Sequence, residues 1–246
     1  MNEEKTPLVS LLVTVGNEDA QLRNTLYSCM EQTYTSVEIL VVDYGNRHAR
    51  ASVDTMSHEG IRYLNTAASG GVSAARNIAL EQASGTYVLF MDSGQQLQSM
   101  WVEKAVKRFR LSNADAVQCA TVYEQDSRTA RVHMPNDSVF GFYQRLVYDH
   151  TVPLNSMIVR KDICSRFPEE RNHAGDWEFW IRTLKGRKVD VLPEYYGSFI
   201  FLSDQLAKEH SLDYLREKRE IMAHFYPELR LSLRKVKQFL RLRSQR

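Results

Sequence analysis

The chain has 246 residues, of which 43% are hydrophobic and 25% are charged, so its length and composition exclude a fibrous or mainly disordered protein. Its 32 Lys+Arg residues nearly balance its 30 Asp+Glu residues, and the formal net charge of +2 gives no support to nucleic-acid binding as the main function. The longest apolar run, Tyr87 to Met91, is far shorter than the roughly 20 residues of a membrane-spanning helix, and the first residues lack the order of a secretory signal. We therefore expect a cytoplasmic protein.

The first half of the chain alternates apolar runs rich in β-branched residues with helical patterns, which is typical of βαβ units around a mostly parallel sheet. Buried strands are predicted at Leu8 to Val15, Val37 to Asp43, Ile61 to Leu64 and Thr86 to Asp92. One predicted helix carries Leu22, Leu26, Cys29 and Met30 on a single face, and another covers Val72 to Ala83. The sequence therefore predicts an α/β fold with helices flanking the sheet.

The second half of the chain is less regular. Helices are predicted at Met100 to Leu111 and around Trp177 to Leu184, and strands at Asp115 to Tyr123, Ala130 to Met134 and Ser156 to Arg160. An aromatic-rich segment, Val139 to Tyr148, is either a helix or a loop. No linker divides the chain, so we predict one domain over residues 1–210, with halves 1–110 and 111–210, and a helical, increasingly basic extension over residues 211–246.

The cysteines of the chain are Cys29, Cys119 and Cys164, and each has a mostly apolar neighbourhood. Their spacing matches neither a zinc site nor a disulfide framework. We expect all of them to be reduced core residues.

Two of the predicted strands end in a carboxylate that is followed by glycine, at Asp43 with Gly45 and at Asp92 with Gly94. Open α/β sheets bind ligands beyond the carboxyl ends of their strands, so both aspartates are expected to point into a ligand crevice. Asp and Gly also favour tight turns for purely local reasons, which is the alternative interpretation of each position.

Three motifs occur in a fixed order along the chain. Gln32-Thr33-Tyr34 precedes the second strand, Gly70-Gly71-Val72-Ser73-Ala74-Ala75-Arg76-Asn77 opens a helix, and Gly85-Thr86-Tyr87-Val88-Leu89-Phe90-Met91-Asp92-Ser93 covers the fourth strand. Together with the later Gly175-Asp176-Trp177-Glu178, these motifs resemble the family 2 glycosyltransferases of the GT-A fold. That resemblance implies an inverting enzyme that uses a nucleotide-sugar donor in polysaccharide assembly.

The resemblance implies a nucleotide site at the ends of the first two strands. Thr14, Asn17, Glu18 and Asp43 match family positions that hold the base and ribose, while Gly16 replaces a tyrosine of the pattern. Tyr44 stands where the family has a second, base-recognising aspartate. A tyrosine ring beside the compact Gly16 would offer the base an aromatic platform, but it cannot accept a base N–H as a carboxylate does.

The resemblance also implies machinery for the departing diphosphate. Asp92 matches the first aspartate of the family's Asp-x-Asp metal motif, and Gly94 replaces the second, which is the direct ligand. A divalent cation, Mg or Mn, would therefore have Asp92 as its one protein carboxylate and would depend on bound substrate. Alternatively, positive side chains replace the metal, and Arg76 is the best candidate because its family counterpart lies near the diphosphate.

Asp176 matches the aspartate that acts as the general base of the family, which removes the proton of the acceptor hydroxyl. A purely local role as a helix N-cap is the alternative interpretation. Because a carboxylate with an ordinary pKa is a weak base at neutral pH, the site is expected to raise the pKa of Asp176 or to gain by positioning it.

A basic amphipathic helix is predicted at the end of the chain. Residues 230–246 contain no acidic residue, and Leu229, Leu233, Val236 and Leu240 fall on one helical stripe. Such a helix suits peripheral contact with the inner face of a membrane, where a lipid-linked acceptor would be presented, or packing on the protein itself or on a second copy in a homodimer.

The function predicted from the sequence is the transfer of a sugar from a nucleotide-diphosphate donor to a saccharide or lipid-linked acceptor, with inversion. The alternative is a GT-A domain that has lost catalysis and serves as a binding or scaffold partner of another glycosyltransferase. The changes at Gly16, Tyr44 and Gly94 are compatible with either interpretation. A nucleotidyltransferase is a weaker third hypothesis, because the Gly-rich phosphate loop expected near the first strand is absent from the sequence.

Overall fold

A computed structural model describes residues 6–16, 21–45, 49–56, 60–66, 71–125, 129–133, 142–143, 146, 152–201 and 211–225 of the chain. The strands are β1 (Val9–Val15), β2 (Val37–Asp43), β3 (Ile61–Asn65), β4 (Tyr87–Asp92), β5 (Gln95–Leu97), β6 (Ala116–Gln125), β7 (Thr129–His133), β8 (Met157–Arg160) and β9 (Val189–Phe201). The helices are α1 (Leu22–Met30), α2 (Ala49–Thr55), α3 (Gly71–Gln82), α4 (Trp101–Ser112), α5 (Gly175–Leu184) and α6 (Leu212–Phe225). Short 3-10 turns precede and follow β8, and the basic segment 230–246 lies outside the described residues.

The strands form one nine-stranded sheet in the order β3-β2-β1-β4-β8-β6-β9-β5, with β7 paired to β6. The first four strands of this order are parallel, as the βαβ pattern predicts, and β8 then runs antiparallel to β4. The registers pair Thr14 with Asp92 and Val15 with Asp43. Both aspartates therefore end at the same edge of the sheet, beside the end of β1.

Alternation along the strands divides the core into two layers, because successive side chains point to opposite faces of a sheet. Val13, Val41 and Met91 belong to the layer that includes residues of α1, α2 and α4. Leu12, Val42, Phe90 and residues of α3, α5 and α6 form the other layer. This division decides which side of the sheet each strand-end residue faces.

The motif Gln32-Thr33-Tyr34 has structural roles in this fold. Gln32 is buried, and its amide nitrogen donates to the carbonyls of Ser28 and Gln98 at 2.9 and 3.0 Å while its amide oxygen accepts the backbone N–H of Val102 at 3.1 Å. The Tyr34 hydroxyl donates to the carbonyl of Pro7 at 2.6 Å. The bonds of Gln32 satisfy a backbone N–H in the first turn of α4 that has no partner within the helix, and they attach the end of α1 to α4.

The sequence does not predict β5 or β9. β9 contains Pro193 and Gly197, which are depleted in strands, and its pairing with β6 is irregular, since Cys119 pairs with Leu192 while Ala120 pairs with Tyr195. Pro193 and Glu194 are left out of this ladder as a bulge, so the strand lacks the regular alternation on which a sequence-based prediction depends.

The cysteines are free thiols, as predicted. Cys29 and Cys119 are buried and Cys164 is half-buried, and burial raises the pKa of each thiol to about 12. None of them is a reactive thiolate at neutral pH. Within the described ranges, no helix is both long and apolar enough to cross a membrane.

Helix α6 packs on the same sheet face as α3 and α5, although the sequence places it in the extension. Its Tyr214 and Ile221 are buried in that layer of the core. The boundary at residue 210 stays a prediction, but residues 212–225 contribute to the hydrophobic core of the domain.

We predict that Ile221→Ala destabilises the whole fold. The Ile221 side chain is 0% exposed, so its truncation leaves a cavity and should lower the free energy of unfolding by about 2–5 kcal/mol. Leu212→Ala on the same helix is the matched control, because Leu212 is 80% exposed and should change stability by no more than about 0.5 kcal/mol. Urea denaturation followed by circular dichroism measures both, and equal effects of the two substitutions would contradict the packing of α6 on the sheet.

Candidate functional site

The predicted strand-end site contains an ion pair between Arg76 and Asp92. Arg76, in α3, donates from Nη2 to both carboxylate oxygens of Asp92, at 3.0 and 2.7 Å. The hydroxyl of Thr14, at the end of β1, donates to Oδ1 of the same carboxylate. The Arg76 side chain is 9% exposed and that of Asp92 is 34% exposed, so the pair is partly open to solvent on the carboxylate side.

The guanidinium of Arg76 keeps its charge in this surrounding. Its carbon lies 5.3 Å from the centre of the Phe167 ring, and its Nε is buried without a hydrogen-bond partner among the described residues. Burial lowers the pKa of Arg76, but the negative charges of Asp92 and Asp176 outweigh it and raise that pKa above its usual range. The site therefore holds a permanent cation beside Asp92.

Asp176 lies in the first turn of α5, on the same side of the sheet. Its Oδ1 accepts the N–H of Trp177 at 2.8 Å, while Ala174 occupies the N-cap position. Burial raises the pKa of Asp176 and the charge of Asp92 adds to the rise, whereas Arg76 and the Trp177 N–H oppose it. Asp176 is therefore not the N-cap of α5, although its carboxylate binds an N–H of the first turn, and its pKa is raised as a base requires.

Asn77 joins the helix that carries Arg76 to the segment that leads into α5. Its amide oxygen accepts the N–H of Phe167 at 2.7 Å, and its amide nitrogen donates to the Phe167 carbonyl at 3.0 Å and to Glu169 at 2.9 Å. The Phe167 ring in turn stacks on Phe179 of α5, with ring centres 3.9 Å apart. Asn77 belongs to the motif that opens α3, but the motif does not predict this role, because the partners of Asn77 lie about 90 residues away in sequence.

The tyrosine that replaces the second aspartate lies against Gly16. A Cβ at position 16 would come within 2.9 Å of the Tyr44 hydroxyl oxygen and 3.0 Å of Cζ. Tyr44 is half-buried on the face of the sheet where Arg76 lies, and its hydroxyl is among the groups that raise the pKa of Arg76. The predicted proximity of the Tyr44 ring to the compact Gly16 backbone is thus present in the structure.

Asp43 does not join this group, which corrects the expectation that its carboxylate opens onto the same crevice. Successive side chains of a strand point to opposite faces of the sheet, and by this alternation Asp43 and Asp92 point to different faces. Asp43 lies on the face that α1 and α2 cover. It is fully buried and accepts the Tyr63 hydroxyl at 2.8 Å and the Gly45 N–H at 2.9 Å. Its structural role is to hold the turn after β2, as in the alternative interpretation.

Trp177 is a core residue. Its ring is buried and its indole N–H donates to the carbonyl of Leu146 at 2.8 Å. The remaining predicted nucleotide contacts, Asn17 and Glu18, lie outside the described residues.

The described residues do not fit a divalent cation. Both oxygens of Asp92 already accept hydrogen bonds from Arg76, and Oδ1 also accepts one from Thr14. Gly94 has a φ of +97°, and a Cβ there would lie 2.4 Å from the side-chain oxygen of Gln21, so an aspartate at this position would be strained. Across the described ranges, no three His, Cys, Asp or Glu side chains are grouped so that they could hold a metal ion.

Comparison with known proteins decides the family. The profile of the family described as "Glycosyl transferase family 2" matches residues 10–163. The chain belongs to that family. The resemblance carried by the sequence motifs is therefore confirmed over more than half of the chain.

Curated relatives of this glycosyl transferase family 2 chain include glycosyltransferases of three bacteria. An uncharacterized glycosyltransferase of Haemophilus influenzae is 25% identical over 199 residues, which are 78% of each protein. The glycosyltransferase GlyA of Streptococcus pneumoniae is 33% identical over 147 residues, which are 58% of this chain but 20% of GlyA. The Escherichia coli protein WfgD, named a UDP-Glc:alpha-D-GlcNAc-diphosphoundecaprenol beta-1,3-glucosyltransferase, is 22% identical over 75% of this chain and 73% of its own.

Solved structures share the fold. Residues 1–349 of Staphylococcus aureus TarS in complex with UDP match with a TM-score of 0.66 at 19% identity, over 89% of this chain and 70% of TarS 1–349. The mannosyltransferase PcManGT of Pyrobaculum calidifontis, in complex with GDP-Man and Mn²⁺, matches with a TM-score of 0.60 at 19% identity, over 80% and 57% of the two chains. The predicted α/β fold of GT-A type is confirmed by these neighbours.

We predict that Gly16 and Tyr44 are energetically coupled. Gly16→Ala should lower the free energy of unfolding by about 1 kcal/mol or more, because the new methyl group overlaps the Tyr44 ring. In a Tyr44→Ala background the same substitution should be neutral or stabilising by up to about 1 kcal/mol, since alanine restricts the unfolded chain more than glycine. A double-mutant cycle in urea measures the coupling, and additive effects would contradict the contact.

Proposed function

We propose that the chain transfers a sugar from a nucleotide-diphosphate donor to a saccharide or lipid-linked acceptor by a single inverting displacement. The observation that carries this proposal is the placement of one buried arginine among two carboxylates, Asp92 and Asp176, at the carboxyl edge of the parallel strands. A cation for a departing diphosphate and a base for an incoming hydroxyl are the groups that such a reaction requires. The names of the relatives support the substrate class, since TarS and PcManGT were solved with UDP-GlcNAc and GDP-Man.

Arg76 is proposed to neutralise the leaving diphosphate. As the bond between the sugar and the diphosphate breaks, its electron pair stays on the phosphate oxygen, and the guanidinium stabilises the negative charge that develops there. Asp92 holds the guanidinium in place, and the Thr14 hydroxyl in turn holds Asp92. The mechanism uses no step through a metal, because the described residues do not form a site for one.

Asp176 is proposed to remove the proton from the acceptor hydroxyl as that oxygen bonds to the sugar carbon. The raised pKa of Asp176 brings the carboxylate nearer to the strength that a general base needs at neutral pH. The charge of Arg76 lowers the pKa of Asp176 and thus opposes the larger rise that burial causes. The proton is thus transferred on the acceptor side while charge is neutralised on the donor side.

The nucleotide is proposed to lie at the ends of β1 and β2, against Tyr44. The ring of Tyr44, packed on Gly16, supplies a flat surface beside Arg76, and base stacking on it tolerates more than one base. Thr14, Asn17 and Glu18 complete the proposed nucleotide contacts, whereas Asp43 contributes through the turn that positions Tyr44.

A catalytically inactive scaffold is the second candidate function. The observation that favours it is the ion pair of Arg76 with Asp92, together with the Gly94 turn, in which a second aspartate would be strained. An inactive domain would keep the cleft without turnover. The enzyme would transfer sugar and the scaffold would not, so measurements of sugar transfer distinguish the two candidates.

A lipid-linked acceptor would place the enzyme at the inner face of the membrane. We propose that the basic segment 230–246 makes this peripheral contact, because its arginines and lysines are attracted to anionic lipid. Packing of the same stripe on a second copy of the chain is the alternative.

We predict that Asp176→Asn lowers kcat by about 10²–10⁴-fold, because the amide cannot accept the hydroxyl proton. The dissociation constant of the donor should stay within about twofold, since Arg76 and Tyr44 remain. Asp54→Asn, which alters an exposed ion pair on α2, is the matched control and should leave kcat unchanged. Radiolabelled transfer and calorimetric donor binding measure the two quantities; loss of donor binding by Asp176→Asn would assign the residue a structural role.

The pH dependence of the wild-type enzyme follows from the same residue. Since Asp176 must be ionised and its pKa is raised by burial, kcat should fall on the acid side with a midpoint above the usual aspartate value of about 4. The donor diphosphate adds negative charge, so the midpoint for kcat should lie above that for kcat/KM. A rate that stays constant down to pH 4 would contradict Asp176 as the base.

We predict that donor binding depends on Arg76 and not on a metal. In thermal-shift series with UDP, GDP, CMP and dTDP compounds, a ligand at 100 times its Kd should add about 2.7 kcal/mol of stability. EDTA should change the shift and the transfer rate by less than about twofold, whereas Arg76→Lys should weaken binding by about tenfold, because lysine lacks the planar fork. A wild-type chain whose melting point no nucleotide moves would favour the scaffold, and loss of transfer in EDTA would contradict the role given to Arg76.

A further inference from the structure

Helix α6 contacts the segment that immediately precedes Asp176. The carboxylate of Glu217 accepts three consecutive backbone N–H groups, those of Asn172 at 3.0 Å, His173 at 3.1 Å and Ala174 at 2.9 Å. Glu217 is more than 40 residues distant from them in sequence and lies beyond the residues that match the family profile.

Three N–H groups that converge on one carboxylate form a strong anion cradle. Burial alone would raise the pKa of Glu217, but the N–H groups of Ala174, Asn172 and His173, helped by the charge of His173, outweigh it and lower that pKa. Glu217 is therefore ionised at neutral pH. Its charge also lies next to the N-terminus of α5, where the helix dipole favours an anion and where the N-cap residue, Ala174, has no side chain to cap the helix.

A second set of contacts fixes the start of the same segment. Arg171 donates from Nε to Glu178 of α5 at 3.0 Å and from Nη1 to Glu220 of α6 at 2.5 Å. Glu178 is buried and also accepts Arg182 of α5. Residues 171–174 are thus bound to α5 on one side and to α6 on the other. The contacts from α6 to the backbone of this segment are made by the carboxylate of Glu217.

The position of Asp176 depends on where this segment ends, because only Gly175 separates it from Ala174. Gly175 approaches the Ser73 hydroxyl of α3, and a Cβ at position 175 would lie 3.1 Å from that oxygen. Any shift of residues 172–174 would move Asp176 relative to Arg76, whose charge influences its ionisation. A displacement of about 1 Å in a catalytic group can cost about 10²-fold in rate.

We propose that Glu217 is a positioning residue of the transferase, which holds residues 172–174 through their backbone N–H groups so that α5 presents Asp176 to Arg76 and the acceptor. This inference rests on the proposed function, in which Asp176 is the base. It makes α6 part of the active enzyme, because a helix outside the matched family region holds the loop that carries the base.

The test compares Glu217→Ala and Glu217→Gln with the control Asp213→Ala in the full-length chain. Asp213 is an exposed acidic residue of α6 that pairs with Arg216 and does not contact the loop. Hydrogen exchange should accelerate at the amides of residues 172–174 by about tenfold or more in Glu217→Ala, since three hydrogen bonds to a charged acceptor are lost. Glu217→Gln keeps one acceptor oxygen and should show a smaller acceleration, and Asp213→Ala should show none.

Steady-state kinetics separate positioning from a general loss of structure. We expect kcat to fall by about 10–100-fold in Glu217→Ala, with the donor KM within about twofold, because the proposed donor contacts lie at the ends of β1, β2 and β4 and on α3. Glu217→Gln should restore part of the lost kcat. Unchanged kcat, or an equal loss of kcat and of donor affinity in both Glu217 variants, would overturn the proposal.

The two measurements also distinguish this inference from the proposed function. Unchanged exchange at residues 172–174 would overturn the role of Glu217 whatever the activity of the enzyme. A wild-type chain that transfers no sugar would overturn the proposed function, and the exchange data would still decide whether Glu217 holds the segment before Asp176.

Discussion

One buried positive charge organises the site, because the guanidinium of Arg76 brings together groups from separate parts of the fold. It donates to Asp92 at the end of β4, whose carboxylate also accepts Thr14 from β1, and its charge acts on Asp176 in α5. Without this cation, repulsion between the two carboxylates would push them apart. The parallel strands supply the edge, and the arginine supplies the positive charge on which the proposed binding of a diphosphate depends.

The contacts that bring Arg76 near Asp176 are mostly structural. Asn77 binds the backbone of Phe167, Phe167 stacks on Phe179, and the carboxylate of Glu217 holds the N–H groups before α5. Each of these links joins segments distant in sequence, so the catalytic geometry depends on packing between α3, α5 and α6. The family profile ends at residue 163, yet the proposed base and its supports lie after that point.

The departures from the family pattern fit their local surroundings rather than leaving gaps. Gly16 makes room for the ring of Tyr44, because a Cβ at position 16 would overlap the Tyr44 hydroxyl. Gly94 adopts a φ of +97° against Gln21, so its turn could not accept the aspartate of a metal motif without strain. The site proposed for the nucleotide therefore has an aromatic surface, and the site proposed for the diphosphate has an arginine.

The sequence by itself determined the α/β class, the four parallel strands and the motif helix, because apolar runs and helical periodicity report burial over a few neighbouring residues. It also predicted site roles for Arg76, Asp92 and Asp176, since their motifs are local, and those roles stay predictions. It placed Asp43 in the same crevice wrongly, and it missed β9 and the roles of Asn77 and Glu217. Which face a strand-end residue points to depends on register with neighbouring strands, β9 is held by pairing across a bulge, and Glu217 meets its partners only when α6 packs on the sheet. These are contacts between segments far apart in the chain, and only the tertiary structure decides them.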